Sequence, residues 1–171
     1  MYTYLLVLRI LHILCGAFWT GTALVMVFYI FPAVERSGPD GGKILQAITG
    51  TNRFPQVLAW VATITVVTGL LLMWQLSHGF IPAWFLSKYG ASLATGGLTA
   101  FIAFLQVVFI NCPMINRTKA ILQRVGTDRR LPNESERNEL MTIRRTVIFS
   151  TRLIALWLVI AVVTMAGARY F

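Results

Sequence analysis

The stretch that decides the fold is residues 5–34, LLVLRILHILCGAFWTGTALVMVFYIFPAV, an apolar run interrupted by two ionisable side chains, Arg9 and His12. A helix needs about 20 predominantly apolar residues to cross the hydrocarbon core of a bilayer, so this run is long enough to span a membrane. It is also longer than the apolar region of a secretory signal, which has about 7–15 residues. The sequence therefore predicts a membrane-spanning helix here.

The composition of the chain indicates the same class. Of the 171 residues, 57% are hydrophobic and 12% are charged, whereas a soluble domain carries about 25% charged residues. Three further apolar segments are long enough to cross a bilayer. We predict an all-α fold, an integral membrane four-helix bundle that forms a single transmembrane domain over residues 1–171. Its predicted spans are residues 5–34, 55–76, 88–112 and 146–168.

Local signals set two helix boundaries. Pro113 is expected to end the third span, because proline lacks the backbone N–H that continues a helix. Asn133 and Glu136 have the spacing of a capping box, in which each residue's side chain accepts from the other's backbone N–H. We therefore expect a helix to begin there, to form an amphipathic cytoplasmic extension and to run continuously into the fourth span.

The basic residues predict the orientation. The formal net charge is +9, and 8 of the 15 Lys and Arg residues lie between residues 112 and 146. Together with the connection after the first span, that side of the bundle holds eleven basic residues against three on the other side. Because Lys and Arg concentrate in cytoplasmic loops, we predict that both termini lie outside, in a bacterial inner membrane. Since this charge pattern is typical of membrane proteins, we expect the lipid bilayer, and no nucleic acid, as a partner.

Arg9 and His12 are the first functional candidates, because an ionisable residue is costly inside a bilayer. They lie on one helix face, and Gly16 and Trp19 continue that face. A neighbouring cation favours a neutral imidazole, which can ligate a metal. Gly16 leaves room for a flat ligand or a close helix. Two alternatives remain open: Arg9 extends to the membrane interface, and His12 only hydrogen-bonds across helices.

Lys88 and His78 form the second candidate group. The predicted topology returns their connection to the side of the membrane that holds Arg9 and His12. Such a basic cluster suits an anionic ligand, such as haem propionates or a lipid headgroup. The alternative for Lys88 is an interfacial anchor.

The third span carries a helix-packing motif, and the fourth span carries a charged residue. Small residues recur at four-residue spacing in the third span, Gly96 and Ala100 among them, and this spacing lets helices approach closely. Arg152 is a charge inside the fourth span. It either extends to the interface or pairs with Asn111 or Gln106.

Three motifs carry a resemblance to known proteins. LRILHILCGAFWTG (8–21), TGLLLMW (68–74) and WFLSK (84–88) resemble, in this order, segments of the first, second and third spans of a four-helix membrane superfamily. That superfamily contains HemJ-type protoporphyrinogen oxidases and copper-resistance D (CopD) domains. The Tyr-His pair that HemJ proteins have in the third span is absent here, as are the further copper ligands of CopD domains. We therefore expect a bacterial relative of these groups.

The resemblance implies a cofactor and its site. HemJ-type proteins bind haem b, and the corresponding His and Lys are taken to be essential. By resemblance, His12 is a metal ligand to haem b and Lys88 is catalytic. We also expect Arg9, Lys88 and Trp19 to contribute to cofactor binding. The expected function is a haem-associated redox role, in its sharpest form a membrane oxidoreductase of the protoporphyrinogen oxidase type. The alternatives are a non-catalytic accessory or scaffold subunit of a larger membrane complex and, third, a copper-handling protein.

Overall fold

The structure is a computed structural model that describes residues 2–38, 41–48 and 53–170, and these residues are almost entirely helical. The eight α-helices of the described residues are α1 Tyr2–Val25, α2 Phe31–Arg36, α3 Gly41–Gln46, α4 Phe54–Leu76, α5 Pro82–Leu86, α6 Lys88–Gln106, α7 Cys112–Thr127 and α8 Glu134–Gly167. Two π-helical turns, Met26–Ile30 and Val107–Asn111, join α1 to α2 and α6 to α7. A 3₁₀ turn, Ala168–Tyr170, follows α8.

Four continuous helices are long and apolar enough to cross a membrane, which confirms the predicted all-α class and the number of spans. They are Thr3–Arg36, Phe54–Leu76, Lys88–Thr127 and Glu134–Tyr170. The side of the membrane on which the termini lie stays a prediction, as does the division into a single domain. Below, the end of the bundle that carries α3, α7 and the start of α8 is named the basic end.

The two π turns each precede a proline. The backbone N–H of Phe31 donates to Met26 O, and that of Cys112 donates to Val107 O, so each bond reaches back five residues. A proline ring clashes with the carbonyl four residues earlier, and a wider turn is one way for a helix to absorb such an interruption. The expectation that Pro113 stops the helix of the third span is therefore wrong, because that helix continues beyond it to Thr127. Where the span itself ends in the membrane stays a prediction.

The fourth long helix begins where the capping box predicted. Asn133 Oδ1 accepts from the Glu136 N–H at 2.8 Å, and Glu136 Oε2 accepts from the Asn133 N–H at 2.9 Å. Arg130 donates to the same Glu136 carboxylate and to Asp128, and these hydrogen bonds raise the pKa of Arg130. From this cap α8 runs without interruption for 34 residues.

The predicted close approach in the third span is confirmed between α6 and α8. A Cβ at Gly96 would lie 2.7 Å from Met165 Cγ and 3.1 Å from Ala161 O. Near this contact the Ser92 hydroxyl donates to Thr164 O at 2.8 Å. Because the two backbones are this close, only a residue without a side chain fits at position 96.

The core of the bundle brings together residues from α1, α4, α6 and α8. Small side chains allow the helices to approach, and larger ones fill the space between them. Its buried members are Trp19, Ala23, Ala62, Ala103, Ile154, Ala155 and Leu158.

We predict that Gly96→Ala lowers the free energy of unfolding by about 1–3 kcal/mol, because the added methyl group forces α6 and α8 apart. Unfolding of the purified protein in mixed micelles measures this change. Gly126→Ala is the matched control, since a Cβ at Gly126 meets nothing within 4 Å. If Gly96→Ala and Gly126→Ala had the same free energy of unfolding, that result would contradict the close packing of α6 against α8.

Candidate functional site

His12 lies half-buried on α1 and faces α4. Its Nδ1 atom is 2.9 Å from the backbone oxygen of Thr65 and 3.3 Å from the hydroxyl oxygen of Thr68. Both threonines are buried. The hydrogen bond across helices that was the alternative interpretation of His12 is therefore present, and it joins the first span to the second.

The chemistry of these partners fixes the position of the ring proton. A carbonyl oxygen only accepts hydrogen bonds, so Nδ1 carries the proton and donates it to Thr65 O. The Thr68 hydroxyl donates to Ile64 O at 2.6 Å, so its oxygen also faces His12 as an acceptor. In the neutral ring the lone pair is then on Nε2. Nε2 has no hydrogen-bond partner among the described residues.

Gly69 provides the surface on which the imidazole lies. A Cβ at this position would be 2.8 Å from His12 Cε1 and 3.2 Å from Nδ1, so any side chain would displace the ring. At Gly16 a Cβ would lie 3.5 Å from Thr65 Cγ2. This is an ordinary van der Waals distance, so α4 packs beside Gly16, and the flat ligand expected there stays a prediction.

The other predicted basic residues are at the surface. Arg9, His78 and Lys88 are exposed, and their side chains make no hydrogen bond or ion pair with another residue of the described ranges. Arg9 lies on α1, three residues before His12. His78 follows α4 and has a positive φ of 51°. The structure shows no direct interaction among these four basic side chains within the part of the chain that it describes.

Lys88 is positioned by the connection that carries the WFLSK motif. Ser87 caps α6 by accepting from the Gly90 N–H at 3.0 Å, which makes Lys88 the first residue of that helix. A Cβ at Gly90 would lie 2.0 Å from Trp84 O, so glycine is required for this tight entry. The backbone after the motif is therefore closely packed.

Aromatic side chains surround this connection. Trp74 and Phe80 meet edge to face with ring centroids 5.2 Å apart, and Trp84 packs in the same way against Phe85 at 5.0 Å. Tyr89 extends the group beyond Trp84, at 6.3 Å. Such a cluster at the end of two spans is typical of a membrane interface.

Trp19 lies in the core and is 3% exposed. It packs with the small residues Ala62 and Ala103 in the buried cluster of the four long helices. Its role as a cofactor-binding residue stays a prediction.

Sequence reasoning did not assign three residues that form the surroundings of His12. Thr65, Thr68 and Gly69 supply the acceptors and the flat surface. The available signal was the run TVVTG inside an otherwise apolar span, because polar and small residues in such a span favour contact with another helix.

The described residues hold no group of three or more His, Cys, Asp or Glu side chains that could bind a metal ion. A metal held by protein ligands alone needs several such donors. The copper-handling interpretation therefore gains no support from the described part of the chain.

Comparison with protein families, with curated proteins and with solved structures finds no match for this chain. The family resemblance in the first three spans thus stays a prediction.

We predict that Gly69→Ala lowers the free energy of unfolding by about 1–3 kcal/mol, because its methyl group overlaps the His12 ring. Gly21→Ala, also in a long apolar helix, adds a Cβ that meets nothing within 4 Å. The control should unfold like the wild type or later, since alanine favours helix over glycine by about 1 kcal/mol. Unfolding in mixed micelles compares the two variants, and a wild-type result for Gly69→Ala would exclude the ring position described above.

Proposed function

We propose that this protein is a small integral membrane protein with a haem-associated redox role, in which His12 would hold the haem through its Nε2 atom. The observation that carries the proposal is the Nδ1 hydrogen bond to Thr65 O, which leaves the Nε2 lone pair available. Metal-bound histidines commonly donate their other ring N–H to a backbone carbonyl, which fixes the tautomer and raises the basicity of the ligand.

The donor set fits haem better than a bare metal ion. Haem brings its four equatorial nitrogens, so that one histidine suffices as protein ligand in proteins with a proximal histidine. His12 supplies one such imidazole. When bound, haem b would supply one-electron redox chemistry. The residues of this chain would hold and orient the group through His12 and its partner Thr65.

Two cations are proposed to bind the propionate groups of the haem. Arg9 is on the same helix as His12, and Lys88 begins α6 beside an aromatic cluster. Both side chains are exposed and have no ion-pair partner among the described residues, so their charges are available to an anionic group. The sharper proposal, a porphyrin-oxidising enzyme with Lys88 as its catalytic residue, rests on the family resemblance.

The absorption spectrum of gently extracted protein tests this proposal. We expect a Soret band in the wild type that is lost in His12→Ala. His78→Ala is the matched control and should keep the band, because His78 lies in the turn after α4. A correctly folded but colourless wild type, or a band that persists in His12→Ala, would refute the proposal.

A groove on the first long helix favours the second candidate, an accessory subunit of a larger membrane complex. The groove has a volume of about 540 Å³. Its lining is almost wholly apolar and consists of Ala17, Phe18, Gly21, Thr22, Val25, Met26, Ile30, Ile48 and Phe54. Small residues at four-residue spacing, here Ala17 and Gly21, favour a close helix neighbour.

Filling this groove tests the accessory role. We expect Gly21→Leu to release the chain from any stable larger complex in mild detergent, because the new side chain occupies the space of a partner helix. Val67→Leu on the exposed face of α4 is the control, because Val67 lines neither the groove nor another proposed site. Size measurements that find the wild type as a solitary monomer would contradict the accessory role.

A further inference from the structure

One outward stripe of α8 combines apolar and cationic side chains at the basic end of the bundle. Arg145, Phe149, Arg152 and Leu156 follow one another at spacings of four, three and four residues, which places them on one helix face. All four are exposed: Phe149 by 64%, Leu156 by 54% and the Arg152 side chain by 50%.

The same stripe continues as an apolar surface toward the other end of α8. Val159 and Val163 are also exposed and extend the face beyond Leu156. In a helix that is apolar enough to span a membrane, this surface faces acyl chains. Arg152 is therefore the first charged residue that follows this apolar surface along the stripe, and Arg145 lies about 10.5 Å farther along the helix at 1.5 Å per residue.

The positive charge of this stripe is only partly balanced. The one ion pair of Arg152 among the described residues is with Glu35, at a long 3.6 Å and with both side chains half exposed. The Arg145 side chain makes no hydrogen bond or ion pair with a residue of the described ranges. A guanidinium has five N–H donors, so most of the donors on these two arginines are unused.

We propose that this stripe is a binding site for an anionic membrane phospholipid. Its phosphate lies between Arg145 and Arg152, and an acyl chain lies along Leu156 and the valines beyond it. Arginine suits this ligand because its planar fork matches phosphate oxygens and forms charge-assisted hydrogen bonds. Basic residues next to a span also attract negatively charged lipids. The site is independent of the proposed haem site at His12.

Native mass spectrometry of the purified full-length chain tests the site, with phosphatidylglycerol and phosphatidylcholine as probes. We expect the wild type to retain phosphatidylglycerol in preference to phosphatidylcholine. Arg145→Gln/Arg152→Gln should weaken the apparent affinity for phosphatidylglycerol about tenfold. Arg129→Gln/Arg137→Gln removes the same charge from exposed positions outside the stripe and should change the affinity less than about twofold.

Further variants separate a specific site from general attraction. Arg145→Lys/Arg152→Lys keeps the charge without the fork and should give an intermediate affinity. If the double glutamine variant does not fold, Arg145→Gln alone serves, because Arg145 has no described partner to lose, and it should weaken binding about threefold. Equal losses in the stripe and control variants, or no loss in either, would overturn the proposal. Displacement of the lipid by inorganic phosphate would also overturn it, because the site would then recognise the free anion.

Discussion

The hydrogen bond from His12 Nδ1 to Thr65 O is the interaction on which the functional account depends. Within an apolar bundle a polar side chain needs a partner, because water is absent from the hydrocarbon region. Thr65 supplies that partner and Gly69 makes room for the ring. One contact therefore joins the first two spans, sets the tautomer and leaves Nε2 for another ligand.

The two ends of the bundle offer different chemistry. At the end that carries α5 and the start of α6, the side chains form an aromatic cluster, and Lys88 is an exposed cation there. At the basic end, Arg152 pairs loosely with Glu35 across two long helices, while Arg144 donates to Val34 O at 3.2 Å. The close contact of α6 with α8 at Gly96 joins the third and fourth long helices between these two ends.

The features of the fold that depend on composition and residue spacing could be predicted from the sequence. The four spans follow from apolar length, and the start of α8 follows from Asn133 and Glu136. The continuation past Pro113 was missed, because proline alone does not indicate whether a helix ends or widens into a π turn. The partners of these polar side chains could not be predicted from the sequence either. Asn111 donates to the Thr151 hydroxyl, and Arg152 pairs with Glu35. Which helix faces meet is decided by packing over the whole bundle.

Nitrogen-15 NMR of protein labelled at histidine tests the central claim most directly, with His12→Ala used to assign the signals. For haem-free protein at neutral pH the account predicts a neutral His12 ring with a protonated Nδ1 and an Nε2 that bears the lone pair. The Thr65 atom that Nδ1 contacts is a backbone oxygen. This oxygen accepts a hydrogen bond and cannot donate one, so the predicted proton on Nδ1 does not depend on the rotamer of the Thr65 side chain. A proton on Nε2, in either the other neutral tautomer or an imidazolium, would contradict the account.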